Sequence, residues 1–180
     1  MKDLLVLTTS GADRVGIVDE FTARLLDFSC NIEESRMAAL GGEFAMIMLV
    51  SGDAPAIDSL LAAVDAGPLI DGFTVAAKRT SVQSVPATGR PYRIESVSLD
   101  NPGIVHSLTT LLHKHNISVD GLETETVGAP FTGAPMFRIG MTVIVPDTVS
   151  IQSLRTELTE VASNQDLDLA LKPIMTHGDE

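Results

Sequence analysis

Two matching loops in this sequence have the residue types that bind small anions. Asp13-Arg14-Val15-Gly16-Ile17 and Asp100-Asn101-Pro102-Gly103-Ile104 each follow an apolar run and precede apolar residues at helical spacing. A glycine there lets a ligand approach the backbone. The first turn of the following helix presents unpaired N–H groups and a partial positive charge. The chemistry available at both loops is therefore the binding of a carboxylate or a similar small anion.

Two further positions are expected to reach such a ligand. Fifteen residues after each loop glycine, Asn31 and Ser118 start a predicted strand, followed by Ile32 and Val119. The amide of asparagine is longer than the hydroxyl of serine, so a site that uses Asn31 is favoured over one that uses Ser118. A second interpretation stays open, in which the aspartate of each loop caps its helix and the glycine serves a tight turn.

The loops belong to a longer internal repeat. Leu5 to Ile32 is echoed by Tyr92 to Val119 at a constant offset of 87 residues. That period is too long for a solenoid turn, and each copy has enough residues to bury a core. The chain is therefore predicted to hold two tandem domains of one kind. Their predicted limits are 1–80 and 92–175, with a linker at 81–91 and a tail at 176–180.

The hydrophobic period of the first copy predicts its elements. In chain order they are a strand at Leu4–Leu7, a loop at 9–13, a helix capped by Asp13 with Ile17, Val18, Phe21, Leu25 and Phe28 on one face, strands at Asn31–Leu40 and Phe44–Val50, a helix through Ile57, Leu60, Leu61 and Val64, and a strand at Phe73–Lys78. The pair Gly41-Gly42 is typical of a tight hairpin between the two middle strands.

This order predicts an α+β protein made of two tandem ferredoxin-like βαββαβ domains. Each domain would have a four-stranded antiparallel sheet with both helices on one face. The second copy repeats the order from Tyr92–Leu99 to Leu167–Leu171, with about six extra residues in its hairpin, at 128–135. Such a sheet leaves edge strands and an open face that need cover. We therefore expect the copies to pair, or the chain to form a homodimer.

Composition narrows the classes of partner. Lys and Arg number 12 against 24 Asp and Glu, which gives a formal charge of −12 and argues against direct nucleic-acid binding. Aromatic residues are at 4%, too few for the base-stacking strands of an RNA recognition motif. No apolar run is long enough to cross a membrane, and the N-terminus lacks a secretory signal. We expect a cytoplasmic protein without membrane contact, and a single cysteine, Cys30, that is a small buried hydrophobe.

No set of catalytic residues can be identified. The sequence has no nucleophile elbow, P-loop or paired-cysteine motif, and His113 and His115 are two apart on a predicted helix, so they point in different directions. We therefore expect neither an enzyme nor a metal or cofactor. A small hydrolase on a ferredoxin-like scaffold stays open as an alternative.

At these loops the chain resembles the ACT domain. The resemblance lies in an Asp-x-Pro-Gly-[Ile/Leu]-[Val/Leu] loop, an amphipathic helix, and a strand that starts with Asn-Ile. Asp100 to Val105 fits closely, whereas Asp13 to Val18 has Val15 where proline is usual, and Ser118 departs from the family's asparagine. The whole chain is similar to the tandem ACT proteins of the glycine cleavage system transcriptional repressor family, which share its long linker and extended second hairpin.

The resemblance implies a regulatory module that binds an amino acid at an interface between paired domains. It implies glycine as the ligand and a transcription-factor protein as the partner, since direct nucleic-acid binding is disfavoured. The hypothesis from sequence is a non-enzymatic amino-acid sensor. Its alternative is a ligand-free structural or protein-interaction module whose loops only cap helices.

Overall fold

The computed structural model describes residues 2–81, 89–99, 101–129 and 133–175. The chain divides into two compact units, Met1–Ser84 and Val85–Glu180, here called unit 1 and unit 2. The domain limits given by the sequence stay predictions, because 82–88 of the linker and the whole tail, 176–180, lie outside the described residues.

Unit 1 is a four-stranded antiparallel sheet with both helices packed on one face. Its elements are β1 (Asp3–Ala12), α1 (Ile17–Asp27), β2 (Asn31–Leu40), β3 (Glu43–Gly52), α2 (Ala54–Ala66) and β4 (Phe73–Thr80). The strand order is β2-β3-β1-β4. Alternate residues of the central strands, such as Leu5, Leu7 and Met48, are buried with Phe21 of α1 and Ile57 of α2. The period of two along the strands places one face in the core.

Unit 2 repeats the same architecture. Its elements are β5 (Arg90–Leu99), α3 (Ile104–Lys114), β6 (Ser118–Gly128), β7 (Pro135–Val145), α4 (Ile151–Gln165) and β8 (Asp168–Pro173). The strand order is β6-β7-β5-β8, and Ile94 and Met141 are buried against Leu108 and Leu154. The predicted α+β fold of two βαββαβ units is confirmed. β5 begins at Arg90, two residues inside the segment predicted as linker.

The two hairpins between the middle strands differ as the sequence predicts. Gly41 and Gly42 have φ angles of 62° and 86°, which suit the tight turn between β2 and β3. In unit 2, β6 ends at Gly128 and β7 begins at Pro135, and residues 130–132 of the extra segment between them lie outside the described residues. The N–H of Gly133 donates to the carbonyl of Ala129 at 2.9 Å within the described part of that loop.

The predicted loop at 9–13 is wrong for its first four residues. Thr9 to Ala12 continue β1, where Thr9 pairs with Met46 of β3 and Val75 of β4. Serine and glycine at positions 10 and 11 favoured a loop. Pairing on both sides of a central strand supplies every backbone N–H and C=O with a partner, and this overrides the local preference.

The predicted cap at Asp13 is also wrong. Gly16 holds the N-cap position of α1, with φ 89° and no side-chain hydrogen bond to the first turn. The side chain of an N-cap residue accepts hydrogen bonds from N–H groups two or three residues later in the chain. Asp13 lies three residues before the N-cap residue Gly16, so its side chain is not at the capping position. Val18 was predicted on the buried face, yet it is 40% exposed because it lies at the edge of the helical stripe.

Cys30 is buried at 4% exposure, as predicted, and burial raises the pKa of its thiol. In the ranges the structure describes, no helix is long and apolar enough to cross a membrane. Among the same residues, no group of three or more histidine, cysteine or acidic side chains is placed to hold a metal ion.

Gly11 and Ser98 occupy equivalent strand positions and give opposite stability predictions. A Cβ at Gly11 would lie 2.7 Å from the Gly72 carbonyl oxygen and 2.8 Å from the Phe73 ring, so Gly11→Ala is expected to destabilise the protein by about 1–3 kcal/mol. The Ser98 hydroxyl is buried without a hydrogen-bond partner among the described residues, so Ser98→Ala should be neutral or stabilising. Urea denaturation of both variants measures the difference, and equal midpoints would contradict it.

Candidate ligand-binding site

The glycine loop of unit 1 places an uncapped helix N-terminus beside an open groove. Gly16 is in the left-handed conformation, its carbonyl accepts from the N–H of Glu20 at 3.0 Å, and no side chain caps α1. The N–H groups of the first turn therefore lack partners within the helix. A Cβ built at Gly16 would meet no atom within 4 Å, so the loop is open on its outer side. This end of the helix can accept an anion.

The groove beside Gly16 has a volume of about 330 Å³. Its lining comes from the loop, the first turn of α1, the far end of β2 and the start of β3: Asp13, Arg14, Gly16, Ile17, Val18, Asp19, Met37, Ala38, Ala39 and Phe44. The loop is tied to the β2–β3 hairpin by the N–H of Asp13, which donates to the Gly42 carbonyl at 2.9 Å. This volume lies at the lower end of the range found for small-molecule pockets.

The charges around the groove suit a zwitterion better than a simple anion. The first-turn N–H groups and the helix dipole favour a carboxylate. The carboxylates of Asp13 and Asp19 line the same groove and would attract an ammonium group. Amino acids carry both groups on one carbon atom. The first turn of α3 in unit 2 contains no acidic residue, so the two loops are not equivalent in charge.

The guanidinium of Arg14 already has a partner, so it is not a simple ligand for an anion. Its guanidinium forms a two-pronged ion pair with the carboxylate of Glu20 and lies 5.8 Å from the centre of the Phe73 ring. The hydrogen bond from Arg14 lowers the pKa of Glu20, and Glu20 raises the pKa of Arg14. A ligand carboxylate would therefore have to compete with Glu20 for Arg14. Val15 projects fully into solvent, and Ile17 is buried in the core.

The loop of unit 2 has the same backbone but a different neighbourhood. Gly103 holds the N-cap of α3 with φ 95°, no side-chain cap and open space at its Cβ position. The hydroxyl of Ser107 donates to the Gly103 carbonyl at 3.1 Å and accepts from Gln165 at the end of α4. Asn101 and Pro102 are exposed, and Ile104 is buried. Asp100 lies outside the described residues.

The structure does not bring Asn31 to the loop of its own unit. Asn31 pairs with Ser51, which also pairs with Leu4, at the opposite end of the sheet from Asp13. β2 has 10 residues, so the distance along it is about 30 Å at roughly 3.3 Å per residue. The Asn31 amide donates to the Glu33 carboxylate at 3.2 Å. Hydrogen bonds from Ser51 and then Asn31 lower the pKa of Glu33.

The matching residues of unit 2 lie at the equivalent end of its sheet. Ser118 pairs with Ile144 and Val119 with Val143, and Val119 is 39% exposed. Ile32 of unit 1 is half-buried against the core. Both strands have a register shift directly after these residues, between Ile32 and Glu34 and between Val119 and Gly121. Both units therefore have a bulge near the start of this strand, and a bulge bends the strand where it occurs.

Sequence reasoning missed the side of the groove that β2 and β3 supply. Met37, Ala38, Ala39 and Phe44 lie near the hairpin, about 25 residues from the loop in sequence. The pair Gly41-Gly42 was the available signal. A tight hairpin at that point aligns the end of β2 with the end of β1, since both strands pair with β3 in register.

Comparisons with known proteins agree with the fold. The ACT domain model matches residues 3–68. The chain is 31% identical to the glycine cleavage system transcriptional repressor of Escherichia coli strain K12 over 166 residues, 88% of this chain and 87% of that protein. A crystal structure of an unknown protein from Galdieria sulphuraria is 36% identical, with a TM-score of 0.81 over 97% of this chain and 100% of that chain. A solved structure of a candidate glycine cleavage system transcriptional repressor, 24% identical with a TM-score of 0.69 over 98% and 99%, has the same fold.

A βαββαβ unit with an antiparallel sheet has the ACT-domain fold; this chain has two such units, each with a glycine at the start of its first helix. The degree of identity and the shared length then settle the family. This chain belongs to the glycine cleavage system transcriptional repressor family, and the ACT domain model matches its first unit.

Proposed function

We propose that this chain is an amino-acid-sensing regulatory protein without enzymatic activity, which acts on transcription through a protein partner. The observation that carries the proposal is the groove at Gly16, where uncapped N–H groups and the carboxylates of Asp13 and Asp19 face one small space. That arrangement fits the two charges of an amino acid. Membership of a family named for a glycine cleavage repressor supports glycine as the ligand.

The ligand is expected to lie between two copies of the chain. β2 is an edge strand, so one row of its backbone N–H and C=O groups is free to pair with another strand. If the β2 strands of two chains pair antiparallel about a two-fold axis, the start of one strand lies beside the end of the other. Asn31 of the second copy then reaches the groove at Gly16, which its own unit cannot do. The proposed assembly is a homodimer.

The proposed partner is a transcription-factor protein. A formal charge of −12 opposes direct contact with a nucleic-acid backbone. Regulation would then come from a change in protein–protein contact when the amino acid binds, and a partner of that kind would place the protein in the cytoplasm.

Titration calorimetry with glycine tests the proposed site. We expect Asn31→Ala to weaken binding at least tenfold, because it removes the amide that completes the site from the second copy. Ser118→Ala is the matched control at the equivalent position of unit 2, and we expect it to change the affinity less than threefold. Equal effects of the two variants, or no effect of Asn31→Ala, would contradict the assignment.

One observation favours a second candidate, a ligand-free interaction module. Two polar side chains named for the site already have partners in the described structure, since Arg14 pairs with Glu20 and the Asn31 amide binds Glu33. On this alternative the loops serve packing alone, and no amino acid binds at millimolar concentration.

A further inference from the structure

The one cation among the described residues that line the groove at Gly16 is Arg14, and a second residue holds it. Both terminal nitrogens of its guanidinium bond to the carboxylate of Glu20, one of them at 2.6 Å. The guanidinium also lies 5.8 Å from the centre of the buried Phe73 ring. A guanidinium uses its paired N–H groups to take a carboxylate. In Arg14 that pair is occupied by Glu20, which is not itself among the lining residues.

The remaining charges of the groove are negative. With Arg14 neutralised by Glu20, the carboxylates of Asp13 and Asp19 give the lining a net negative charge. A ligand with a carboxylate alone would be repelled by them at close range. An amino acid brings its own ammonium group, which the same carboxylates attract. The groove is therefore arranged to distinguish a zwitterion from a simple anion.

The equivalent loop of unit 2 lacks this pair. At the repeat offset of 87 residues, Arg14 corresponds to Asn101 and Glu20 to Ser107. Neither side chain carries a charge, and the Ser107 hydroxyl donates to the carbonyl of Gly103 at 3.1 Å. The first turn of α3 also contains no acidic residue. The held cation and the acidic lining therefore occur together in unit 1.

We propose that Glu20 determines the specificity of the groove at Gly16: by holding Arg14, it excludes simple carboxylates and leaves the groove selective for amino acids. Glu20 acts here as a positioning residue, since its contact with the groove passes through Arg14. The inference rests on the proposed function and adds the origin of its selectivity. Both side chains of the pair are about two-fifths exposed, and exposed ion pairs contribute little to folding stability. The effect of the pair is therefore expected in ligand choice.

Titration calorimetry with glycine and with glycolate tests the proposal. Glycolate has the carboxylate and carbon chain of glycine but a hydroxyl in place of the ammonium group. We expect the parent chain to bind glycine at least tenfold more tightly than glycolate. Glu20→Gln keeps the shape of the side chain, removes its charge and releases Arg14, so glycolate affinity should rise and the glycine-to-glycolate ratio should fall at least fivefold.

Two further variants identify the cause of that change. The double variant Arg14→Ala/Glu20→Gln lacks the released cation, so the gain in glycolate affinity should disappear. Asp27→Asn removes the same charge from the other end of α1, where Asp27 pairs with Arg24 at 3.3 Å, and should leave the ratio within twofold of the parent. A gain that persists in the double variant would overturn the proposal, because it would then come from the charge of Glu20 alone.

The same titrations separate this inference from the proposed function. A parent chain that binds no glycine would contradict the amino-acid site itself. A parent chain that binds glycine, with an unchanged ratio in Glu20→Gln, would overturn the role of Glu20 and leave the site in place. A lowered ratio in Glu20→Gln that Arg14→Ala reverses would support both.

Discussion

Replacing Gly16 with valine is expected to reduce amino-acid binding at least tenfold, a loss of about 1.4 kcal/mol or more. Gly16 has φ 89°, and a β-branched residue in that conformation costs about 1–3 kcal/mol. The space at its Cβ position is empty and adjoins the groove, so the new side chain would occupy the volume proposed for the ligand. Calorimetry with glycine measures the affinity, and urea denaturation measures the stability.

Gly41→Val is the matched control for this variant. Gly41 also has a positive φ angle, 62°, and open space at its Cβ position, but it does not line the groove. We expect a similar loss of stability with binding retained. If Gly16→Val bound glycine as tightly as the parent chain, the ligand would have to lie elsewhere.

The second large effect is expected in the core beneath the site. Phe21 is fully buried and packs edge-on against Phe73, with 5.7 Å between the ring centres and 86° between the ring planes. Phe21→Ala should cost about 3–5 kcal/mol, because it removes the apolar transfer energy of the ring and leaves a cavity. Phe73 also lies under the guanidinium of Arg14, so the groove should lose its shape as well.

Amide hydrogen exchange can show that the loss of stability in Phe21→Ala arises in unit 1. Protection of β1 and β3 should fall in Phe21→Ala, while β5 and β7 serve as an internal reference because the two buried cores share no residue. Leu26→Ala, on the same helix but at a 73% exposed position, should change stability by less than about 0.5 kcal/mol. A loss below 1 kcal/mol for Phe21→Ala would contradict the packing.

The fold was predictable from sequence because local and global signals agree in most elements. The repeat at an offset of 87 residues, the stripe through Phe21 and Leu25, and the glycine pair at 41 and 42 all indicated the same βαββαβ order. The segment from Thr9 to Ala12 was mistaken for a loop because Ser10 and Gly11 are typical turn residues. Pairing on both sides of β1 determines its structure, and that pairing is a long-range property.

The candidate site was only partly predictable. Gly16 and Gly103 could be found from sequence because a positive φ at a helix start favours glycine, and the glycine is visible in both copies of the repeat. The cap assigned to Asp13 was wrong, since helix starts depend on backbone geometry that residue type alone does not fix. The contribution of Met37 and Phe44 depends on strand register. The separation of Asn31 from the loop follows from the direction of β2, which spacing along the chain does not reveal.

Thermal unfolding of the purified chain against each of the twenty amino acids tests the central claim most directly. A ligand that binds only the folded state must raise the unfolding temperature, by a stabilisation that grows with the logarithm of its concentration above the Kd. We predict a rise confined to glycine or one other small amino acid, with loss of the rise in Gly16→Val. No rise with any amino acid, at concentrations well into the millimolar range, would contradict the sensor and leave the chain as an interaction module that has kept the fold without the ligand.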